Sequence, residues 1–314
     1  MHALRAHTRG GPEVLVYEPA PKPVPAPGEV LVAVHAAAIT FAELTWNETW
    51  SRRGVDRTPT IPSHEVSGVV AEVAADVDAL RIGDPVYGLV PFDRDGAAAE
   101  YVTVPATDIA AKPRSVSNVV AAAVPLAALT AWQALIGHAK VQTGERVLVL
   151  GGAGGVGAFV TQIAARLGAR VTATVLAADV DHALALGAER AINVDAEAFD
   201  AQPGVFDVVI DTVGGQTLDR SWATLRRGGR LVTLQAPPSR DRADAFGVDA
   251  MFFVVSADRG QLGEIAELVD DGSLRVTIAA TFPLAKGRAA FESGTTLNRP
   301  PGKTVLVVRD EAGG

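Results

Sequence analysis

Residues 151–157 read Gly-Gly-Ala-Gly-Gly-Val-Gly, and Gly152, Gly154 and Gly157 among them have the spacing G-x-G-x-x-G. The apolar run Arg146 to Leu150 precedes them and a stretch with apolar residues every three or four positions follows. In that context glycine has specific uses. The first makes a tight turn, the second lets backbone approach a pyrophosphate, and the third lets a helix pack closely on a strand. The helix N-terminus then presents unpaired N–H groups and the positive end of a dipole to phosphates. This pattern predicts a dinucleotide site. A site that prefers the unphosphorylated cofactor carries Asp or Glu about 20 residues further on, against the ribose 2′-hydroxyl. Here Thr174-Val175-Leu176-Ala177-Ala178 has no carboxylate before Asp179. Nothing there repels a 2′-phosphate, so NADPH is expected over NADH, although no Arg or Lys stands there and His182 is a weak substitute. NADH remains possible.

Other reactive residue types are sparse. The chain has no cysteine, which excludes disulfides, thiolate nucleophiles, iron–sulfur clusters and any zinc site that needs sulfur. His64 stands in Pro62-Ser63-His64-Glu65. Trp46 and Trp50 lie four residues apart, so on a helical turn they share a face. That face is either a core or interface stripe or an aromatic wall for a flat substrate.

The elements that must position these residues differ between the two parts of the chain. Up to Lys112-Pro113, short strand-like runs alternate with turn signals: Leu15 to Tyr17, a proline cluster from Pro19 to Pro27, Glu29 to Val34, Glu65 to Val73 and Pro85 to Val90. A β-rich domain is expected there. From Asn118, read as a helix cap, an alanine-rich helix runs to Ile136. Strands at Arg146–Leu150, Arg170–Val175, Ala191–Val194, Val205–Asp211 and Gly229–Leu234 then alternate with helices, and Met251–Val255 reads as an edge strand. Such alternation predicts a parallel, doubly wound sheet. A helix after Asp258 and a strand from Lys303 to Val308 exceed what that sheet needs, so the chain is expected to return to its first domain.

With the motifs in this order, the sequence resembles the medium-chain dehydrogenase/reductase superfamily, in its zinc-free quinone-oxidoreductase-like branch. The resemblance rests on Pro62-Ser63-His64-Glu65-Val66-Ser67-Gly68-Val69, Gly83-Asp84-Pro85-Val86, Leu129-Thr130-Ala131-Trp132-Gln133-Ala134-Leu135, the glycine loop and Gly302-Lys303-Thr304-Val305. It implies an α/β protein with a GroES-like β-rich domain from residues 1–117 and 257–314. A Rossmann domain of doubly wound parallel sheet, 118–256, is inserted between them. It also implies that Thr130, Gly155, Val156 and Gly157 line the cofactor phosphates and ribose. Thr212, Val213, Gln235 and Ala236 would contact the cofactor, Phe253 and Val254 would lie near the nicotinamide, and a homodimer would form through Met251–Val255.

In the zinc-dependent branch the metal is held by a cysteine, a histidine and a second cysteine. By alignment those positions are Thr40, His64 and Leu126. One ligand of three remains, so His64 reads as a structural or cleft-lining residue and no metal is expected. Glu43 stands where zinc enzymes of the family carry an acid. Without a Lewis acid, the feasible hydride acceptor is one that delocalises charge, a quinone or an α,β-unsaturated carbonyl. Thr40 is then the candidate hydrogen-bond donor to the acceptor, and Tyr87 and Tyr101 are candidate proton sources that can equally be packed strand residues. Glu43, Trp46, Trp50 and His64 form the expected substrate side. Two other readings are an enoyl-thioester or enone reductase of secondary metabolism, and an NADPH-binding protein without turnover.

The bulk composition agrees with a small-molecule enzyme. A net charge of −8 argues against nucleic acid and anionic membranes as partners. No apolar run approaches a membrane span and no apolar region follows the charged start, so a cytoplasmic location is expected.

Overall fold

The computed structural model describes residues 1–295 and 299–309. The chain divides into two compact units, one of Met1–Leu126 together with the chain from Ala257 on, the other of Ala127–Ser256.

The first unit is built on β1 (Glu29–Ile39), β2 (Glu65–Val73), β3 (Pro85–Leu89), β4 (Tyr101–Pro105) and β5 (Ile109–Ala111). Strand β1 is eleven residues long and its Val30, Leu31, Val32 and Val34 are all buried. Burial on both faces explains why it reads as a continuous apolar run rather than an alternating one. It pairs antiparallel with β2 along its length and with β4 through Glu29–Ala33. A separate hairpin, His2–Ala6 with Leu15–Pro19, precedes it. Its first strand, His-Ala-Leu-Arg-Ala, has no β-branched residue to mark it in the sequence.

Helix α1 (Asn118–Ala122) follows, capped by Ser117, whose side chain accepts from the Val120 N–H. The expected cap, Asn118, is the first helical residue, and its side chain accepts instead from the Ser67 hydroxyl. The expected single helix to Ile136 is interrupted at Ala123–Val124, because Pro125 disfavours helical backbone in the residue before it. It resumes as α2 (Pro125–Trp132) and a π-helical turn, Gln133–His138. Helix α1 thus lies in the first unit, where Ala122 and Ala123 pack with Ala36, Ala38 and Val305. The boundary falls after Leu126 rather than after residue 117.

In the second unit β6 (Arg146–Leu150), α3 (Gly157–Arg166), β7 (Arg170–Val175), β8 (Arg190–Asn193), β9 (Phe206–Asp211), β10 (Leu225–Thr233) and β11 (Asp249–Phe252) follow one another. The six strands form one parallel sheet in the order β8-β7-β6-β9-β10-β11. This is the doubly wound arrangement, with its reversal between β6 and β9; ligands of such sheets bind outside the carboxyl ends of the strands at that point. Strand β11 is the edge, but it ends at Phe252, so Phe253–Val255 lie beyond the strand expected there. The chain then returns through α4 (Arg259–Asp270), β12 (Ile278–Pro283) and β13 (Lys303–Val307). Strand β13 pairs antiparallel with β1, Thr304 opposite Ile39, which makes the C-terminal strand part of the first unit's sheet.

Candidate active site

Two clusters of the expected site residues form, one in each unit. In the second unit the glycine loop leaves β6 through Gly151, whose φ is +79°. Its N–H donates to the Thr174 hydroxyl (3.0 Å), and that of Gly152 to the Thr174 carbonyl (2.9 Å). Each glycine does something different. A Cβ on Gly152 would lie 2.5 Å from that of Ala173 on β7, and one on Gly157 would lie 2.0 Å from the Gly151 carbonyl oxygen. Those two glycines therefore let the loop, α3 and β7 approach. Gly154 is exposed, and a Cβ there would meet only the Gly151 carbonyl, at 3.3 Å. The tight turn is made by Gly151, one residue before the motif's first glycine. Gly155 and Val156 are half-buried, and Val156 accepts from the N–H groups of Phe159 and Val160, both at 3.0 Å.

The carboxyl end of β9 meets the loop from the other side. The hydroxyl of Thr212 donates to the Leu150 carbonyl (2.7 Å), and Gln235 Nε2 donates to the Thr212 carbonyl (2.9 Å). Val213 is 50% exposed. Beneath them Asp211 is fully buried and accepts from the N–H groups of Val213 (3.0 Å) and Gly214 (2.8 Å) and from the Thr233 hydroxyl (2.8 Å). That carboxylate shapes the Thr212–Gly214 turn. The signal for that role in the sequence is an acid at a strand end just before Gly214-Gly215. The fixed turns and the spaces that a Cβ would fill suit a dinucleotide pyrophosphate at this strand end.

Thr174 and Val175 are buried within β7, with Thr174 spent on holding the loop, and the exposed end of that strand is Leu176, Ala177 and Ala178. Thr130 is buried on α2. Gln235 and Ala236 follow β10, and Phe253 packs its ring on His138 at 4.3 Å while Val254 is exposed.

The first unit assembles Thr40, Glu43, Ser63 and His64 where β1 ends and β2 begins. Thr40 starts the 3₁₀ turn Phe41–Thr45; its N–H donates to Glu43 Oε1 (3.3 Å), and its carbonyl accepts from the Glu43 N–H (3.0 Å). Ser63 holds a left-handed backbone, φ +74°, and its N–H donates to Glu43 Oε2 (2.9 Å) while its hydroxyl donates to the Ala38 carbonyl (2.7 Å). Nothing in the sequence marks that conformation, which a non-glycine residue seldom adopts. Glu43 is wholly buried, and burial pushes its carboxyl up to about 8 despite the two N–H bonds. His64 is 3% exposed, and its Nε2 lies 3.9 Å from Glu43 Oε2. Burial first, and the Arg57 guanidinium second, hold its imidazole down at about 4. The carbonyls of Val90 and Pro91 lie beside the ring and favour its protonated form, yet neither ring nitrogen has a partner in hydrogen-bond geometry. Phe92 stands edge-on to His64 and to Trp46, each at 5.2 Å.

Two expected site residues are core residues instead. Tyr87 is fully buried; its hydroxyl donates to the Leu262 carbonyl (2.6 Å), and burial pushes its phenol further up, so it is no proton source. Trp50 is buried in the first unit's core with its indole N–H on the Leu44 carbonyl (2.9 Å), whereas Trp46 is half-buried beside Phe92. Helix formation starts after Trp46 rather than through it, so the two tryptophans share no face.

The positions that hold zinc in metal-dependent relatives offer a hydroxyl (Thr40), one imidazole (His64) and an alkyl side chain (Leu126). The N–H of Leu126 donates to Glu65 Oε1 at 3.1 Å, and the other Glu65 oxygen accepts from buried Lys303. Such a donor set does not fit a catalytic zinc. Among the described residues no group of three His, Cys, Asp or Glu is placed to hold a metal, and no helix is long and apolar enough to cross a membrane.

Residues 26–114 match the family model "Alcohol dehydrogenase GroES-like domain", and residues 186–306 match "Zinc-binding dehydrogenase". A "Probable zinc-binding oxidoreductase, mitochondrial" from Arthroderma benhamiae is 30% identical over 91% of this chain and 92% of its own. The "NADPH-dependent alkenal/one oxidoreductase, chloroplastic" of Arabidopsis thaliana is 30% identical over 88% of this chain and 72% of its own. Among solved structures, the quinone oxidoreductase from Coxiella burnetii superposes with a TM-score of 0.89 at 30% identity, covering 98% of this chain and 99% of that one. The GroES-like strands, the doubly wound sheet and these relatives agree: the chain is an oxidoreductase of the medium-chain dehydrogenase/reductase superfamily, of the quinone-oxidoreductase-like kind.

Proposed function

We propose that the protein reduces a quinone or an α,β-unsaturated carbonyl with NADPH and without zinc. The observation that carries this reading is the donor set Thr40, His64 and Leu126, which supplies no Lewis acid to stabilise an alkoxide. A conjugated acceptor needs none, since the incoming negative charge spreads to a remote oxygen. When bound, the reduced nicotinamide supplies the hydride. The chain's own part is to hold and orient. Gly154 and Gly155 offer backbone to the pyrophosphate, and Val213 and Gln235 border it. Thr40 is half-buried at the end of β1, where its hydroxyl is suited to donate to the acceptor's carbonyl oxygen. Preference for NADPH is supported by the exposed end of β7, which bears Leu176, Ala177 and Ala178 and no carboxylate.

The test is NADPH oxidation, followed by absorbance, with a quinone panel and an enone panel, before and after chelation. Turnover with one panel that survives chelation is expected. No turnover with either panel, or loss of it on chelation with one zinc per chain by elemental analysis, overturns the reading.

A further inference from the structure

Among the described residues, six buried side-chain nitrogen or oxygen atoms lack a hydrogen-bond partner, and four of them belong to Arg57, Thr60 and His64. Unsatisfied buried polar atoms are costly and usually mark an absent partner. Both ring nitrogens of His64 are in this state. Beside them lies a carboxyl group that is itself buried and fixed from two directions by the N–H groups of Thr40 and Ser63. The 3.9 Å between Glu43 Oε2 and His64 Nε2 is too long for a hydrogen bond and short enough for a small shift of either side chain to make one. Catalytic hydrogen bonds are often long before substrate is present.

We propose that Glu43 and His64 form the proton-delivery pair of the reduction, with His64 touching the acceptor and Glu43 supplying its proton. This rests on the function proposed above, in which the acceptor gains a hydride from NADPH and needs one proton on its oxygen. The carboxyl O–H of Glu43 breaks and its proton passes to Nε2 of His64. The ring then turns, carrying the N–H away from Glu43, and Nε2 releases the proton to the acceptor's oxygen, forming the new O–H bond and restoring the neutral imidazole. Glu43 is left as a carboxylate and regains a proton from solvent. The resting states suit this direction, since at neutral pH burial keeps Glu43 protonated and His64 uncharged. The surrounding charges are few: Lys303 and Glu65 act on Glu43, and Arg57 and Asp93 on His64. Lys303 and Glu65 are paired with each other, which leaves their joint field on Glu43 small.

Three measurements on the full chain test it. Wild-type turnover should hold below about pH 8 and fall above it as Glu43 ionises. Glu43→Gln should lower kcat by about 10²-fold, the usual worth of a general acid, with NADPH affinity unchanged and the fall above pH 8 gone. Glu43→Asp, which keeps the acid, should restore part of kcat. The imidazole ¹⁵N shifts of His64 give a readout independent of turnover: a neutral ring at pH 7 is expected in wild type and in Glu43→Gln. A kcat and pH profile of Glu43→Gln equal to wild type would overturn the pair, as would a cationic His64 at pH 7. If Glu43→Gln does not fold, His64→Gln replaces it, and unchanged kcat there is equally fatal. Wild type inactive with both panels overturns the function proposed above, and the ¹⁵N shifts then decide the state of the pair separately.

Discussion

At the scale of single residues, glycines one turn apart have opposite duties. A side chain at Gly157 has no room, because its Cβ would sit 2.0 Å from the Gly151 carbonyl, whereas Gly154 is exposed. Gly157→Ala should therefore lower stability, by about 1–3 kcal/mol as an overpacked site, and appear as a lower Tm without cofactor. Gly154→Val should leave that Tm nearly unchanged and weaken NADPH binding in titration, since its branched chain occupies the approach to the phosphates. Equal NADPH affinity in a folded Gly154→Val would remove the loop from the cofactor site. Glu43 and His64 also give stability a pH dependence whose sign can be worked out. Glu43 is raised from 4.5 to about 8, so the folded state holds its proton better and stability declines as pH rises between those values. His64 is lowered from 6.5 to about 4, so its contribution improves with pH up to 6.5 and is constant above. The two oppose each other between about 4.5 and 6.5, and only Glu43 acts from there to about 8. Tm of wild type should fall between pH 6.5 and 8, and Glu43→Gln should abolish that fall; an identical slope in the two proteins would place the ionisation elsewhere.

At the scale of elements, strands β2, β6 and β7 lie where apolar runs bounded by turn residues predict them, because burial on both faces leaves a signal in the residues themselves. The break in the helix before Pro125 is also local, yet the alanine-rich composition hid it. Other features were not local. The phenol of Tyr87 is satisfied by Leu262, 175 residues away, and the turn whose Leu44 carbonyl accepts the Trp50 indole N–H is tied through Glu43 to Ser63, 20 residues on. Aromatic side chains read the same whether they face a ligand or a distant helix, so the glycine loop and the polar cluster of the candidate site are legible in the sequence as groups of residues, and the places of its aromatics are not. The proposed preference for NADPH rests on the end of β7. Leu176 is 55% exposed there, beside Ala177 and Ala178. A carboxylate at that position would accept from a ribose hydroxyl and repel a 2′-phosphate. Leu176→Asp should shift the ratio of NADPH to NADH dissociation constants toward NADH by about tenfold, or roughly 1.4 kcal/mol. Isothermal titration with both cofactors measures it, and a ratio that stays put would show that the 2′ position is read elsewhere.

At the scale of the whole molecule, the second unit leaves two sheet edges, β8 and β11, and an unpaired edge presents backbone donors and acceptors to another chain. The two edges are not equivalent. Strand β8 opens with Arg190, which is engaged by Glu197. Strand β11 reads Asp-Ala-Met-Phe, and its last three residues are half-buried without being covered by a further strand. The apolar edge is the better candidate for self-association. A two-fold axis beside it would pair β11 with its own copy antiparallel, the self-complementary contact that closed dimers use. We therefore expect a homodimer through β11 in solution, as the family resemblance also implies. Each chain carries a net charge of −8, so the contact must outweigh mutual repulsion, which salt reduces. Light scattering at low and moderate ionic strength should give twice the chain mass of 32.5 kDa, more completely with salt. Placing a cation on the edge, Met251→Lys, should shift the protein toward the single-chain mass while the same change on β8, Ala191→Lys, leaves it dimeric. A wild type that scatters as one chain at every salt concentration, or a Met251→Lys variant as dimeric as wild type, would rule out this edge as the interface.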